Sequence, residues 1–182
     1  MKGIIVKLIA LLTVLGILSS CGFAMNKNLH GDELQKLSDN DLYEAVYFQN
    51  LDVVDSYQSE ETALEKMSKV RRTVYILNMY EFEVANGGLC QFFANSSRSL
   101  APYVSDCLAE IGATDHKQLY DSFVSDNEID VFQLESFVSE DVDSFIKQYE
   151  RYDFDSFDNS YMELPLLQNY ITAYIRANIT EF

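Results

Sequence analysis

The apolar residues of most of this chain recur at intervals of three and four, which is the spacing of one face of an α-helix. The first such run comprises Leu42, Val46, Tyr47, Leu51 and Val54. Residues 38–41 precede it and offer N-cap side chains. A longer run begins after Ser59, with carboxylates in its first turn, and should end at Gly87 and Gly88. Glycine there supplies the left-handed conformation that ends many helices.

Five further helices are predicted, over residues 89–94, 99–112, 115–124, 140–152 and 164–179. Pro102 falls in the first turn of the second of these, and Thr114 and Ser139 are the expected caps of the third and fourth. We expect residues 125–139 to be largely irregular and residues 153–159 to form an aspartate-rich turn. No strand alternation interrupts this series. The predicted fold is therefore an all-α, single-domain bundle of about six to eight helices.

The N-terminus has a different pattern. Lys2 and Lys7 precede an uncharged apolar run over residues 8–18, and small residues follow it. A run of 11 residues is much shorter than the roughly 20 needed to span a bilayer. These features predict an export signal over residues 1–20 that is removed from the mature protein.

Cys21 directly follows Leu18, Ser19 and Ser20, and this arrangement resembles the lipobox of bacterial lipoproteins. The resemblance implies that the Cys21 sulfur carries a diacylglyceryl group and that Cys21 becomes the N-terminus. The alternative is an uncleaved anchor or an ordinary signal with a chance cysteine. On the first interpretation residues 21–37 are the lipidated cysteine and its tether, and residues 38–182 are an acidic helical domain. The protein would then be lipid-anchored to the cell membrane or the outer membrane, facing away from the cytoplasm.

The chain is strongly acidic. It has 29 Asp and Glu residues against 13 Lys and Arg residues, a formal net charge of −16. Loss of Lys2 and Lys7 with the signal leaves 29 acids against 11 bases, or −18. Such a surface repels phosphate, so direct nucleic-acid binding is disfavoured. It suits a basic protein partner, cations, or solubility without any partner.

Little in the sequence points to catalysis, to a metal or to a cofactor. His30 and His116 are the only histidines, and they lack the spacing of a zinc site. Asp153, Asp155 and Asp158 suggest calcium, but the glycine and glutamate of an EF-hand loop are missing.

Two more cysteines follow Cys21, and both fall within apolar helical patterns. Cys90 with His116 could serve as nucleophile and base, although packing is the favoured role for this cysteine. Whether Cys90 pairs with Cys107 in an oxidising compartment stays open.

The most distinctive segment is EVANGGLCQFFANSS, residues 83–97. Gly87 and Gly88 permit a sharp reversal of the chain. Gln91 and Asn95 share one face of the following short helix, and with Asn86 they could hydrogen-bond the exposed backbone ends. The adjacent aromatic residues should turn toward packing. The candidate site comprises Asn86, Gly87, Gly88, Gln91, Phe92 and Asn95. Either this set holds two helices together, or it binds a ligand or partner.

This segment resembles the signature of a bacterial domain family that contains DNA mimic proteins of the DMP type. Most members have no assigned function. The likeness extends over most of residues 40–180, through LAEIGA at residues 108–113 to an acidic stretch and a final Tyr-Ile helix. The resemblance implies an all-helical domain, leaves a homodimer open, and implies an acidic face that imitates the phosphates of DNA. Characterised mimics work in the cytoplasm, whereas this chain carries an export signal.

The functional expectation is a non-enzymatic, lipid-anchored interaction domain that binds a basic or cationic partner. Residues 121–163 hold 13 acids against Lys147 and Arg151. The predicted acidic face comprises Asp126, Glu128, Asp130, Glu140, Asp141, Asp143, Asp153, Asp155 and Asp158. The alternatives are a DNA mimic that sequesters a DNA-binding protein, if the signal is not used, and an envelope enzyme acting on wall or carbohydrate substrates. Neutralisation of a basic toxin would be a special case of partner binding.

Overall fold

The structure is a computed structural model that describes residues 29–138 and 141–182. Within these ranges the chain forms eight α-helices and no strand, which confirms the predicted all-α bundle. In chain order the helices are α1 (Asp39–Asp55), α2 (Glu60–Lys66), α3 (Lys69–Ala94), α4 (Ala101–Glu110), α5 (Thr114–Asp126), α6 (Val142–Arg151), α7 (Phe154–Glu163) and α8 (Leu167–Ala177). Short 3₁₀ turns lie at Leu34–Lys36, Ser96–Leu100, Glu135–Phe137 and Ile179–Glu181.

Helix α3 is the centre of the bundle. It packs against α1, α4, α6, α7 and α8, and 14 of its 26 residues are buried. A helix that is apolar on most sides must be covered on most sides, so the shorter helices surround it. The core beside it is largely aromatic: Tyr80, Phe92, Phe93 and Phe154 are all fully buried.

Serine caps begin the first two helices, as predicted. The Ser38 Oγ accepts from the Asp41 amide at 3.3 Å, and the Ser59 Oγ accepts from the Thr62 amide at 3.2 Å. The long helix predicted from there to the glycine pair is wrong in one respect, because it is interrupted at Met67. That residue is buried with an extended backbone, and Ser68 caps a new helix by accepting from the Arg71 amide.

Two other predicted caps need correction. Thr114 is the first residue of α5, and no side chain caps that helix. Helix α6 is capped by Asp141, whose carboxylate accepts from the Ser144 amide at 2.8 Å while the Ser144 hydroxyl accepts from the Asp141 amide. Ser139, the expected cap, lies outside the described residues.

The aspartate-rich turn predicted at residues 153–159 is also wrong, because these residues form most of α7. Asp153 caps this helix through the Ser156 amide. Phe154 and Phe157 are buried on its inner side, one helical turn apart. The last helix begins at Leu167 rather than at the predicted residue 164.

The packed body begins earlier than predicted, because part of the segment predicted to be a tether, residues 21–37, packs against the core. Leu34 is fully buried, and Leu29 packs against the core. The His30 ring bonds the carbonyl oxygen of Phe182 at 2.7 Å, which ties this segment to the far end of the chain. Cys21 and the predicted signal lie outside the described residues. Within residues 29–138 and 141–182, no helix is long and apolar enough to cross a membrane.

Candidate functional site

The glycine pair interrupts α3 as predicted. Gly88 has φ +80° and ψ 178°, a conformation essentially confined to glycine, so Leu89 begins a short second helical segment. The space is also restricted. A Cβ at Gly88 would lie 2.1 Å from Asp158 Oδ2, and one at Gly87 would lie 2.0 Å from Gln91 Oε1. Gly88 therefore needs glycine both for close approach and for its backbone, whereas a side chain at position 87 would have to displace the Gln91 amide.

The partner of Gly88 is Asp158, which sequence reasoning placed on the acidic face. That assignment is wrong, because Asp158 is only 4 % exposed. Its Oδ1 accepts from the Leu89 amide at 3.0 Å, so a carboxylate from α7 caps the second segment of α3. An anion at a helix N-terminus satisfies a backbone donor and the helix dipole together.

The polar side chains of the motif converge on Glu83, a buried residue that sequence reasoning did not single out. Its Oε2 accepts from Gln91 Nε2 at 2.7 Å and from Asn95 Nδ2 at 2.8 Å, and its Oε1 accepts from the Ser97 hydroxyl at 2.9 Å. Gln91 and Asn95 do share a helix face, but they bind this carboxylate rather than backbone ends. Three donors to one carboxylate explain how the charge can be buried.

Asn86 and Phe92 differ from the rest of the motif. Asn86 Nδ2 donates to the Phe82 carbonyl oxygen of its own helix at 2.8 Å. Phe92 is fully buried, edge-on to the Tyr80 ring at a centroid distance of 5.2 Å, so it does not offer a contact surface. Of the predicted site, Asn86 and the two glycines line a cavity.

This cavity, of about 570 Å³, lies between the glycine pair, α7 and the start of α8. The lining residues with polar side chains are Glu81, Asn86, His116, Asp158 and Tyr161. Apolar side chains complete the wall, and two of them are well exposed, Met162 at 73 % and Leu166 at 67 %.

Glu81 is held firmly in the cavity wall. Its Oε2 accepts from the Tyr43 hydroxyl at 2.6 Å, and its Oε1 accepts from the Gln168 amide at 2.9 Å. Burial raises the pKa of the Glu81 carboxyl, although both hydrogen bonds oppose that change. The two hydrogen bonds thus fix the position of the Glu81 side chain, but they offset only part of the cost of burying its negative charge.

His116 is buried in the same wall. Its Nε2 lies 2.8 Å from the Pro165 carbonyl oxygen, which can only accept, so Nε2 donates and the neutral ring presents Nδ1 as an acceptor. Nδ1 has no hydrogen-bond partner among the described residues, and neither has the Tyr161 hydroxyl beside it. Burial lowers the pKa of the His116 imidazole.

Most of the predicted acidic face is exposed. Exposed carboxylates are found at Asp126, Glu128, Asp130, Asp141, Asp143, Asp153 and Asp155. Glu140 lies outside the described residues. Some of these groups also have local structural roles, such as the helix caps Asp141 and Asp153 and the Asp155 Oδ1 that accepts from the Tyr149 hydroxyl.

Cys90 and Cys107 are free, buried thiols rather than a disulfide. Burial raises the pKa of Cys90 to about 12, with the negative charge of Asp158 adding to the effect, and that of Cys107 to about 11. A nucleophilic thiol needs the opposite shift. In the part of the chain that the structure describes, no group of three His, Cys, Asp or Glu side chains could hold a metal ion.

Comparison with known proteins identifies a family model that matches most of the described chain. The family model described as DMP19-like protein matches residues 65–178, which extend from the end of α2 to the end of α8. No curated protein and no solved structure is significantly similar to the chain. The matched range contains the glycine pair, the Glu83 cluster, the cavity and the acidic segment, and it covers more than half of the sequence. The chain therefore belongs to the DMP19-like protein family.

Proposed function

We propose that this chain is a non-enzymatic binding domain that engages a basic protein through the exposed carboxylates of its C-terminal half. We further propose that it does so outside the cytoplasm, from a lipid anchor on Cys21. The observation that carries the first part is the charge of the surface between α5 and the end of α7. The second part depends on the signal-like N-terminus.

Among the described residues of this stretch, ten carboxylates are exposed, against two exposed bases, Lys147 and Arg151. We call these ten the carboxylate set: Asp126, Glu128, Asp130, Glu135, Asp141, Asp143, Glu150, Asp153, Asp155 and Glu163. The negative electrostatic potential of such a surface accelerates association with a positively charged partner and repels acidic ones.

A binding role is supported further by the chemistry of the buried groups. The thiol of Cys90 is held protonated by its surroundings, and the imidazole of His116 is bonded to a backbone carbonyl. The Glu83 carboxylate is occupied by three side-chain donors. Each of these groups has a structural role that does not require a substrate.

The family favours a second candidate. A DMP19-like domain with an exposed carboxylate set fits a DNA mimic that occupies the DNA-binding site of a basic protein. This candidate shares the acidic surface with the first but requires a cytoplasmic location. Mass spectrometry of the protein from fractionated cells separates them: a diacylated Cys21 in the membrane fraction supports the anchored domain, and an intact Met1 in the cytosol supports the mimic.

The proposed role of the carboxylate set can be tested with two variants that each lose three negative charges, one inside the set and one outside it. One variant carries Glu128→Gln, Glu135→Gln and Glu150→Gln, all within the carboxylate set. The control carries three equivalent changes at exposed positions of the N-terminal half, Glu33→Gln, Glu44→Gln and Glu65→Gln. Both variants remove three charges without changing side-chain size.

A partner captured from envelope fractions should bind the first variant more slowly than the control, and added salt should slow binding of the unmodified protein. Screening is already substantial at 0.1 M, where the Debye length is about 10 Å. Equal association rates for the two variants, or binding that salt does not affect, would contradict the proposal.

A further inference from the structure

We propose that the cavity beside the glycine pair is a binding site for a single alkyl cation, of the kind carried by an arginine or lysine side chain. This inference concerns a site other than the carboxylate set, and it does not depend on the proposed function.

The first argument is charge. Two carboxyl groups, Glu81 and Asp158, line the cavity, and the lining contains no Lys or Arg. Glu81 is held in place by Tyr43 and Gln168, so it does not need to be ordered when a ligand arrives. A carboxylate has about four acceptor positions, and these two bonds leave room for further donors.

The second argument is the surplus of buried polar atoms at the wall. His116 is 2 % exposed, and its Nδ1 lacks a partner within the described ranges, as does the Tyr161 hydroxyl. Buried polar groups are nearly always satisfied, and both residues line the cavity, so a ligand that reaches either atom would supply the hydrogen bond it lacks. Because the His116 Nδ1 is an acceptor, it favours a ligand rich in N–H donors, as a cationic head is.

The third argument is the rim. Met162 and Leu166 are two of the most exposed apolar side chains of the described chain, and both line this cavity. A short methylene stem would bury them while the charged head lies deeper. An apolar rim around an acidic interior thus matches the two ends of an alkyl cation. At about 570 Å³ the cavity is large enough for such a group.

The test uses n-butylguanidinium as the probe and N-butylurea, its uncharged isostere, as the control ligand. Binding to the full-length protein is measured by calorimetry and by NMR of the methionine methyl groups. We expect saturable binding of n-butylguanidinium with a dissociation constant of about a millimolar, because a ligand with so few non-hydrogen atoms makes few contacts. N-butylurea should bind at least tenfold more weakly. Absence of saturable binding, or equal binding of the two ligands, would overturn the proposal.

Two variants locate the site. Glu81→Gln removes the charge and keeps one acceptor, and it should weaken n-butylguanidinium at least tenfold. Met162→Ser removes rim contact from a side chain that the fold does not need, and it should weaken the probe several-fold. The matched control is Phe132→Ser, since Phe132 is 76 % exposed and does not line the cavity. Unchanged affinity in both cavity variants would place the binding elsewhere and refute the assignment.

A second arm identifies the source of the cation. A capped Ala-Arg-Ala peptide is compared with n-butylguanidinium on the unmodified protein. Equal or tighter binding of the peptide indicates an arginine side chain of a protein, and exclusion of the peptide indicates a free small amine or guanidine. Either result supports a cation site. Failure of the proposed partner binding would show in the salt and neutralisation experiments and would leave this measurement unaffected.

Discussion

Replacing Gly88 with alanine should be among the most damaging single-methyl changes in this chain, for two separable reasons. The first is backbone strain, since φ +80° with ψ 178° costs a residue with a side chain about 1–3 kcal/mol. The second is contact, because the new Cβ would lie 2.1 Å from Asp158 Oδ2. The carboxylate can move only by giving up its hydrogen bond to the Leu89 amide, at a further cost of about 1–3 kcal/mol.

The two costs can be separated by a double-mutant cycle followed by urea unfolding. In an Asp158→Ala background the contact disappears and the strain stays, so Gly88→Ala should cost about 1–3 kcal/mol less there than in the unmodified protein. In an Asp158→Asn background the side-chain bulk stays, and the larger cost should persist. Gly112→Ala is the control for a positive φ without a contact, because Gly112 has φ +74° and no atom within 4 Å of its Cβ position.

The reasoning would be refuted if Gly88→Ala cost the same in all three backgrounds, or no more than Gly112→Ala. The first result would mean that the Asp158 carboxylate does not restrict position 88. The second would mean that only the backbone conformation matters, as at an ordinary helix end. A domain of this size has about 5–15 kcal/mol of total stability, so the expected effects are well within the range of the measurement.

Three further outcomes follow from the buried groups. Glu83→Gln should lower the free energy of unfolding by about 2–4 kcal/mol, measured in urea, because an amide cannot accept from three donors; a loss below about 0.5 kcal/mol would contradict the cluster. His116 has a pKa below its ordinary 6.5, so its contribution to stability is present above that pH and is lost as the pH falls toward the lowered value. The melting-temperature advantage over His116→Asn should therefore shrink between pH 7.5 and pH 5, and a constant difference would refute this. Cys90 and Cys107 should react with a maleimide in urea but not in the native protein, because burial shields both thiols and raises their pKa values. Rapid labelling of either cysteine in the native protein would contradict this expectation.

The features that the sequence predicted correctly are those decided within one or two turns of chain. The Ser38 and Ser59 caps depend on a side chain and an amide three residues away. The interruption at Gly88 depends on glycine itself. The break at Met67 was missed, because apolar residues on either side of it keep a helical spacing. The Ser68 side chain caps a new helix at this point, and a serine in that position could have predicted the break.

The candidate site was predicted only in part, because its bonds connect distant segments. Asp158 and Leu89 are 69 residues apart, and nothing local marks one aspartate among so many as buried. The spacing of Phe154 and Phe157 was the available signal, since it predicts a helix that brings Asp158 close to its inner face. Glu83 is eight residues from Gln91 across the glycine break, so helical spacing could not pair them.

The polar residues of the motif are engaged with one another, and this has a consequence for recognition. Glu83 occupies Gln91 and Asn95, while Asp158 caps Leu89. The Glu83 hydrogen bonds hold the two segments of α3 to each other, and Asp158 holds the second segment to α7. The glycine pair between the segments lines the cavity. At the proposed cation site the motif would act by positioning the cavity wall, and contact with the ligand would fall to carboxylates that can accept further hydrogen bonds. Glu81, two residues from Glu83 on the same helix, is such a group in the cavity, and the carboxylate set is another at the surface.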